Sequence, residues 1–359
     1  MRRRSLLCLL PGLLALISGC SPANAPKSGP PAPGSATTAA AGGGVVRAGV
    51  VLDTGGVDDR SFNAAAVSGL MRAKKELGLG ENNVKYVESN GPADFKPNLT
   101  GLASQNYSII FAVGYMLENP LKEVAPQFPD VKFAIIDAPA PDSPNAAGLQ
   151  FREQEGAFLA GYLAGAMSKT KKIGFVGGEK IPITERFEAG YKAGARTADP
   201  AVQVIASYTG DWNDTSKGRS QAEQQFGSGA DIIIQGAGKA GLGVIEAAKA
   251  RGPGYYAIGT DQDQDGIAPG RVLTTMEKHT DVAVFDMIKR LKAGQFEKGT
   301  HVYGVKDGGI SLSDLKYTKQ NIPPAVLANL DRLKQRISAG EIVPPTTLKE
   351  LESFQPPRL

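Results

Sequence analysis

Thiols and imidazoles are scarce in this sequence. Its 359 residues include two cysteines, two histidines and a single tryptophan. Two cysteines cannot build a disulfide scaffold or a cysteine-rich zinc centre, and two histidines leave no material for a His-rich metal site. A surplus of one charge is missing as well: 40 Lys+Arg stand against 36 Asp+Glu, a formal +4. That near balance lacks the basic footprint of a nucleic-acid-binding protein. Beyond the N-terminal segment no stretch approaches the roughly 18 apolar residues that suggest a membrane-spanning helix. What is present, 42% hydrophobic and 21% charged residues, is a globular composition. The length suffices for two domains with complete cores.

The first residues read MRRRSLLCLLPGLLALISGC. Arg2, Arg3 and Arg4 form a positive n-region, and Leu6 to Ile17 form an apolar h-region too short for a stable span. The ending Ile17-Ser18-Gly19-Cys20 resembles the lipobox of bacterial lipoproteins. Residues 1–19 are therefore expected to be a lipoprotein signal peptide, with the new N-terminal Cys20 carrying lipid. An ordinary secretory signal with a chance cysteine is the alternative. Residues 20–44 are Pro, Gly, Ala, Ser and Thr with one charge, Lys27, and read as a tether. The expected location is outside the cytoplasm, anchored to the cell membrane. Loss of residues 1–19 removes three arginines and lowers the formal charge from +4 to +1. Both cysteines then belong to export and anchoring, and the fold from Val45 onward has no thiol.

From Val45 the pattern alternates strand and helix. Apolar, β-branched runs read as strands: 45–52, 84–88, 108–113, 131–137, 171–177, 202–208, 231–236, 255–261 and 272–276. Helical stretches lie between them: 61–77, 95–105, a short one opened by Asn119-Pro120, 155–167, 184–196, one capped by Asp214, one from Gly241, and 280–291. A further helical segment follows Pro323. Strands without apolar/polar alternation are covered on both faces, as in parallel α/β sheets. The strand count predicts an α/β fold of two doubly wound lobes, with ligand binding at strand C-termini facing a cleft.

Gly236 to Gly241 spell GAGKAG, a complete GxGxxG that follows a strand and opens a helix. Asp261 lies twenty residues after Gly241 at the end of the next strand. This is the context of a dinucleotide fingerprint, with an acid for the ribose hydroxyls. An exported NAD-dependent oxidoreductase is one alternative reading. Against it, the motif sits late in the chain, and no Cys, His or Tyr near it suggests hydride transfer.

Six segments carry a resemblance: 52–69 (LDTGGVDDRSFNAAAVSG), 129–137 (PDVKFAIID), 151–178 (FREQEGAFLAGYLAGAMSKTKKIGFVGG), 186–194 (RFEAGYKAG), 240–249 (AGLGVIEAAK) and 257–264 (AIGTDQDQ). Together, in this order, they resemble the basic membrane protein family of ABC-transporter substrate-binding lipoproteins, which includes purine-nucleoside receptors. The resemblance implies a two-lobed, hinged fold of the periplasmic-binding-protein type I. It implies a monomer that captures a nucleoside and delivers it to an ABC permease and ATPase. It implies no catalysis, no cofactor and no nucleic-acid partner. Another sugar-containing or small polar solute, or a surface lipoprotein acting as sensor or adhesin, remains an alternative. The lobes are expected at about 45–150 plus 265–295, and at about 151–264 plus 296–359.

The resemblance also assigns residues. Phe62 and Phe187 match the rings that hold a purine; on the residues alone both could be core aromatics. Asp53 and Asp137 end strands where they could accept hydrogen bonds from a base edge, and Asn63 could donate and accept. A helix cap is the alternative for Asp53. Asp58 and Asp59 read as caps of the helix opening at Ser61. Asp261 could chelate ribose hydroxyls, Gly238 could let backbone approach the sugar, and Lys278 matches a family lysine that reaches the ribose. A surface lysine is the alternative for Lys278. Trp212 could line the cleft mouth or pack. The chain departs from the family pattern at Ala64 and at Lys239, which adds a charge near the sugar end.

Overall fold

The computed structural model describes residues 45–359. The expected signal peptide at 1–19, the lipidation site Cys20 and the tether at 20–44 lie outside the described residues. The strands, in chain order, are β1 Ala48–Val51, β2 Val84–Val87, β3 Ile109–Val113, β4 Lys132–Ile136, β5 Ala146–Phe151, β6 Lys172–Gly177, β7 Gln203–Tyr208, β8 Ile232–Gly236, β9 Tyr256–Asp261, β10 Val272–Lys278, β11 Gly299–Tyr303 and β12 Ile310–Leu312. The helices are α1 Phe62–Glu76, α2 Pro92–Ser104, α3 Glu118–Val124, α4 Glu153–Met167, α5 Pro182–Ala198, α6 Thr215–Gly227, α7 Leu242–Arg251, α8 Thr280–Lys292, α9 Pro324–Ser338 and α10 Leu348–Ser353.

Two six-stranded sheets result, ordered β11-β5-β4-β3-β1-β2 and β12-β10-β9-β8-β6-β7. The first is parallel throughout, and in the second only β12 runs antiparallel, against β10. Central strands such as β3 (IIFAV) and β8 (IIIQG) are buried along their whole length, because helices cover both faces. The edge strands β2, β7 and β11 are partly exposed. Helices α4 and α5 pack with their backbones in contact: a methyl group added at Gly161 would meet the Tyr191 carbonyl, and one at Gly194 the Phe158 carbonyl.

Three strands escape sequence reading. Strand β5 begins Ala-Ala-Gly, residues of low strand propensity. Strand β11 alternates half-buried and exposed positions and so lacks the apolar run of a covered strand. Strand β12 has three residues. The Asn119-Pro120 start is also corrected. A 3-10 turn at Tyr115–Leu117 runs directly into α3 at Glu118, so both residues sit inside the first helical turn and Asn119 is not the cap. Proline is tolerated there because first-turn N–H groups have no intrahelical partner.

The chain passes between the sheets at Phe151–Glu153, at Lys278–Thr280 and between β11 and β12. Strand β10 thus lies in the second sheet up to Lys278, and β11 in the first up to Tyr303. Strand β10 extends the second sheet beside β9, and β11 pairs with β5 of the first.

Candidate ligand-binding site

Strand orders β2-β1-β3-β4-β5 and β7-β6-β8-β9-β10 are the same doubly wound order, so each lobe has a switch point, at β1/β3 and at β6/β8. The C-terminal strand ends of both lobes line one cavity holding roughly 610 Å³ of empty space, part of it open to solvent. The first lobe contributes Asp53 after β1, Phe62 and Asn63 at the start of α1, and Asp137 after β4. The second contributes Phe187 from α5, Gly238 from the turn after β8, Asp261 at the end of β9 and Lys278 at the end of β10. All eight residues singled out in the sequence line this cavity.

The equal topologies create a correspondence that no motif announces. Strand β4 is to the first lobe what β9 is to the second, so Asp137 and Asp261 occupy equivalent strand ends. Both adopt left-handed backbone, with φ of 66° and 69°, a region that aspartate enters more readily than most side chains. In the same way α1 and α5 follow equivalent strands and carry Phe62 and Phe187. No ring–ring contact joins these two phenylalanines among the described residues.

Lys278 is 3% exposed and lies among carboxylates. Its Nζ is 2.7 Å from Asp137 Oδ2, 3.8 Å from Asp261 Oδ1 and 3.9 Å from Glu153 Oε1. The same ammonium stands 4.5 Å from the centre of the Phe62 ring. Burial pulls the Lys278 pKa down, but Asp137, Asp261 and Glu153 outweigh it and leave the pKa raised. Burial raises Asp261 in turn, and Lys278 and Ser61 offset only part of that. Glu153, fully buried, is raised by burial against the pull of Arg186, whose Nε donates to Glu153 Oε2 at 2.8 Å.

The hydrogen bonds sort the polar atoms satisfied within the protein from those left without a partner. Asp53 Oδ1 accepts from the Gly55 backbone and from Asn63 Nδ2, at 2.8 and 2.7 Å. Asn63 Nδ2 also donates to Asp59 Oδ2 at 3.0 Å, so both amide hydrogens are spent within the protein. Asn63 therefore lines the cavity as a positioning residue for Asp53. Asp59 caps α1 by accepting from the backbone N–H groups of Ser61, Asn63 and Ala64. Burial still pushes its carboxyl up to about 6. Asp137 Oδ1 is buried without a hydrogen-bond partner, a state that costs about 1–3 kcal/mol until a donor arrives. Asp261 Oδ2 accepts from Ser61 Oγ, across the lobes, at 2.5 Å.

The glycine fingerprint is part of this same wall. Gly238 has φ 56°, a left-handed backbone that favours glycine, and lies against the Trp212 carbonyl. Trp212 and Lys239 line the cavity too. Sequence reading missed Tyr115, Ile181, Ile183 and Thr184 in the wall, and Glu153 and Arg186 behind it. Tyr115 was accessible to the strand-end rule, since only Gly114 separates it from β3. Glu153 is the first residue of α4, in a Glu-Gln-Glu run that reads as an ordinary acidic helix start, so its burial leaves no local signature. Among the described residues no group of His, Cys, Asp and Glu is placed to hold a metal ion, and no helix is long and apolar enough to cross a membrane.

Residues 46–346 match the family model of ABC transporter substrate-binding proteins described as PnrA-like. A CD4+ T-cell-stimulating antigen of Listeria monocytogenes is 36% identical over 313 residues, covering 82% of this chain and 87% of the relative. The ABC transporter nucleoside-binding protein BmpA of Lactococcus lactis subsp. cremoris is 34% identical over 318 residues, covering 84% and 89%. A solved ABC-transporter solute-binding protein from Aeropyrum pernix K1 superposes with TM-score 0.76 at 30% identity, over 86% of this chain and 96% of that one. The fold is thus of the periplasmic-binding-protein type I, and the glycine fingerprint does not mark a dehydrogenase. Matched over most of its length in sequence and in structure, the chain belongs to the basic membrane protein (PnrA-like) family of ABC-transporter substrate-binding proteins, which bind a solute and transform none.

Proposed function

We propose that the solute is a nucleoside with a purine base, captured by hinge closure and delivered to an ABC permease and its ATPase. The observation that carries this reading is the paired wall: Phe62 and Phe187 at equivalent places of the two lobes, beside carboxylates at equivalent strand ends. In this reading the base lies between the two rings. Asp53 and the unpaired Asp137 Oδ1 accept from its edge. Asp261, Lys278 and the backbone at Gly238 hold the ribose. The Lactococcus relative's name supports the ligand class. Contacts drawn from both lobes stabilise the closed state, because the ligand binds it better than the open one. The lobes are proposed to divide at the three chain crossings. The arginines, the apolar run and Cys20 at the N-terminus support export and lipid attachment of a monomer at the outer face of the cell membrane.

Calorimetry with adenosine, guanosine, inosine, uridine and ribose tests the ligand class. Stacking is worth about 1–3 kcal/mol per base. Phe62→Ala and Phe187→Ala are each expected to weaken purine-nucleoside binding about 5- to 150-fold and to leave ribose unaffected. Tight ribose binding, with no nucleoside tighter than millimolar, would overturn the reading.

A further inference from the structure

Hydrogen bonds made by the protein with itself also cross the cleft, and two of them involve side chains that need not touch a ligand. Tyr115 Oη donates to Glu179 Oε2 at 2.7 Å. Asn213 Nδ2 donates to Thr54 Oγ1 at 3.0 Å. Thr54 and Tyr115 follow β1 and β3 of the first lobe, and Glu179 and Asn213 follow β6 and β7 of the second. The chain crossings lie at the other side of both sheets, on β5, β10, β11 and β12. The two bonds therefore span the side of the cleft away from the hinge. Of the four residues only Tyr115 lines the cavity. Trp212, in the cavity wall, is next to Asn213.

We propose that the pairs Tyr115–Glu179 and Thr54–Asn213 form a latch across the cleft mouth that sets how long a captured solute stays. This rests on the reading that binding proceeds by closure. The bonds can form only when the lobes are closed, so they favour the closed state whatever the solute. Losing them multiplies the dissociation constant of every ligand by one common factor. A residue that touches the ligand would instead change the ranking among ligands. The effect falls on escape, because encounter takes place with the open form. Burial, with the hydrogen bond to Glu179, pushes the Tyr115 phenol up to about 12, so it remains a donor at any ordinary pH.

The test uses Glu179→Ala, Asn213→Ala and the double variant, which spare the cavity wall. Trp212 is the single tryptophan of the chain, so its fluorescence in stopped flow follows closure without a label. Glu179→Ala is expected to raise the adenosine dissociation rate roughly 10-fold and Asn213→Ala about 3-fold, as for a charged and a neutral hydrogen bond. Association rates should stay within twofold, and the affinities for adenosine and inosine should fall by equal factors. Small-angle scattering should show the ligand-free double variant more expanded than the parent. Dissociation rates within twofold of the parent, or factors that differ between the two nucleosides, would overturn the latch. If the parent binds neither nucleoside, the nucleoside reading fails, and scattering alone decides the latch: an unchanged radius overturns it.

Discussion

Replacing Lys278 with methionine is expected to cost about 3–5 kcal/mol of folding stability at neutral pH, the usual result of leaving buried charges without their partner. Methionine keeps the length and apolar bulk of the side chain, so the loss isolates the charge. Asp137 would lose its 2.7 Å ion pair, and Asp261 and Glu153 the cation within 4 Å of each. Burial already holds Asp261 and Glu153 above the ordinary carboxylate range. Without the ammonium both rise further.

The sign of the pH dependence follows from these raised values. A carboxyl raised in the fold binds a proton more readily there than in the unfolded chain. Its cost is absent below the unfolded value, near pH 4, and grows as pH rises through the folded one. Urea denaturation of parent and variant at pH 4.5 and pH 7.5 should therefore show the smaller gap at the lower pH. An equal gap at both, or one under about 1 kcal/mol, would mean that Lys278 does not offset these carboxylates. Nucleoside binding should fall with the charge, since the same ammonium fixes Asp137 and Asp261 in the wall.

Asp261→Ala carries the other large effect. Truncating a buried, hydrogen-bonded carboxylate costs about 2–5 kcal/mol of binding, roughly 30- to 5,000-fold. If Asp261 holds ribose, adenosine should lose far more than free adenine. The structure adds a condition, because Asp261 also accepts the Ser61 hydroxyl from the other lobe. The substitution therefore removes a closure bond as well. Ser61→Ala removes that bond, and the longer contact of the same hydroxyl to the Thr260 carbonyl at 3.3 Å, but spares the carboxylate; it is expected to weaken both ligands alike, by about 0.5–1.5 kcal/mol. Calorimetry on the two variants separates the roles: the excess loss of adenosine in Asp261→Ala is the sugar's share. Equal losses in both variants, for both ligands, would leave Asp261 as a closure residue only.

These expectations treat the cluster as one unit with two duties. Lys278, Asp137 and Asp261 neutralise one another across the cleft, and the same groups face the cavity. The Glu153–Arg186 pair supports them from behind and lies next to Phe187 in sequence. A substitution here is expected to alter stability and affinity together, whereas the latch residues should shorten residence time and lower every ligand's affinity by one common factor.

Much of this was legible in the chain itself. Uniformly apolar β-branched runs can be buried only in covered parallel strands, and ligand groups of such sheets gather at strand C-termini. Asp53, Asp137 and Asp261 stand directly after such runs, so local pattern and topology rule found them. Strands β5, β11 and β12 escaped because small, alternating or very short segments carry no such run. Which sheet β10 and β11 join was illegible for a related reason, since a strand's sheet is chosen by its hydrogen-bonding neighbour and not by its own residues.

Tertiary structure alone decided which groups meet. Lys278 and Asp137 are 141 residues apart, and Ser61 and Asp261 are 200 apart. Nothing in local periodicity encodes such distances. Asn63 looked free to bind until its amide was found between Asp53 and Asp59, and Glu153 looked like the ordinary acidic start of a helix. The sequence by itself determined the two doubly wound lobes and the strand ends that line the cavity. The packing of one lobe against the other decided which of those groups line the cavity and which hold one another, because that depends on a geometry written across both halves of the chain.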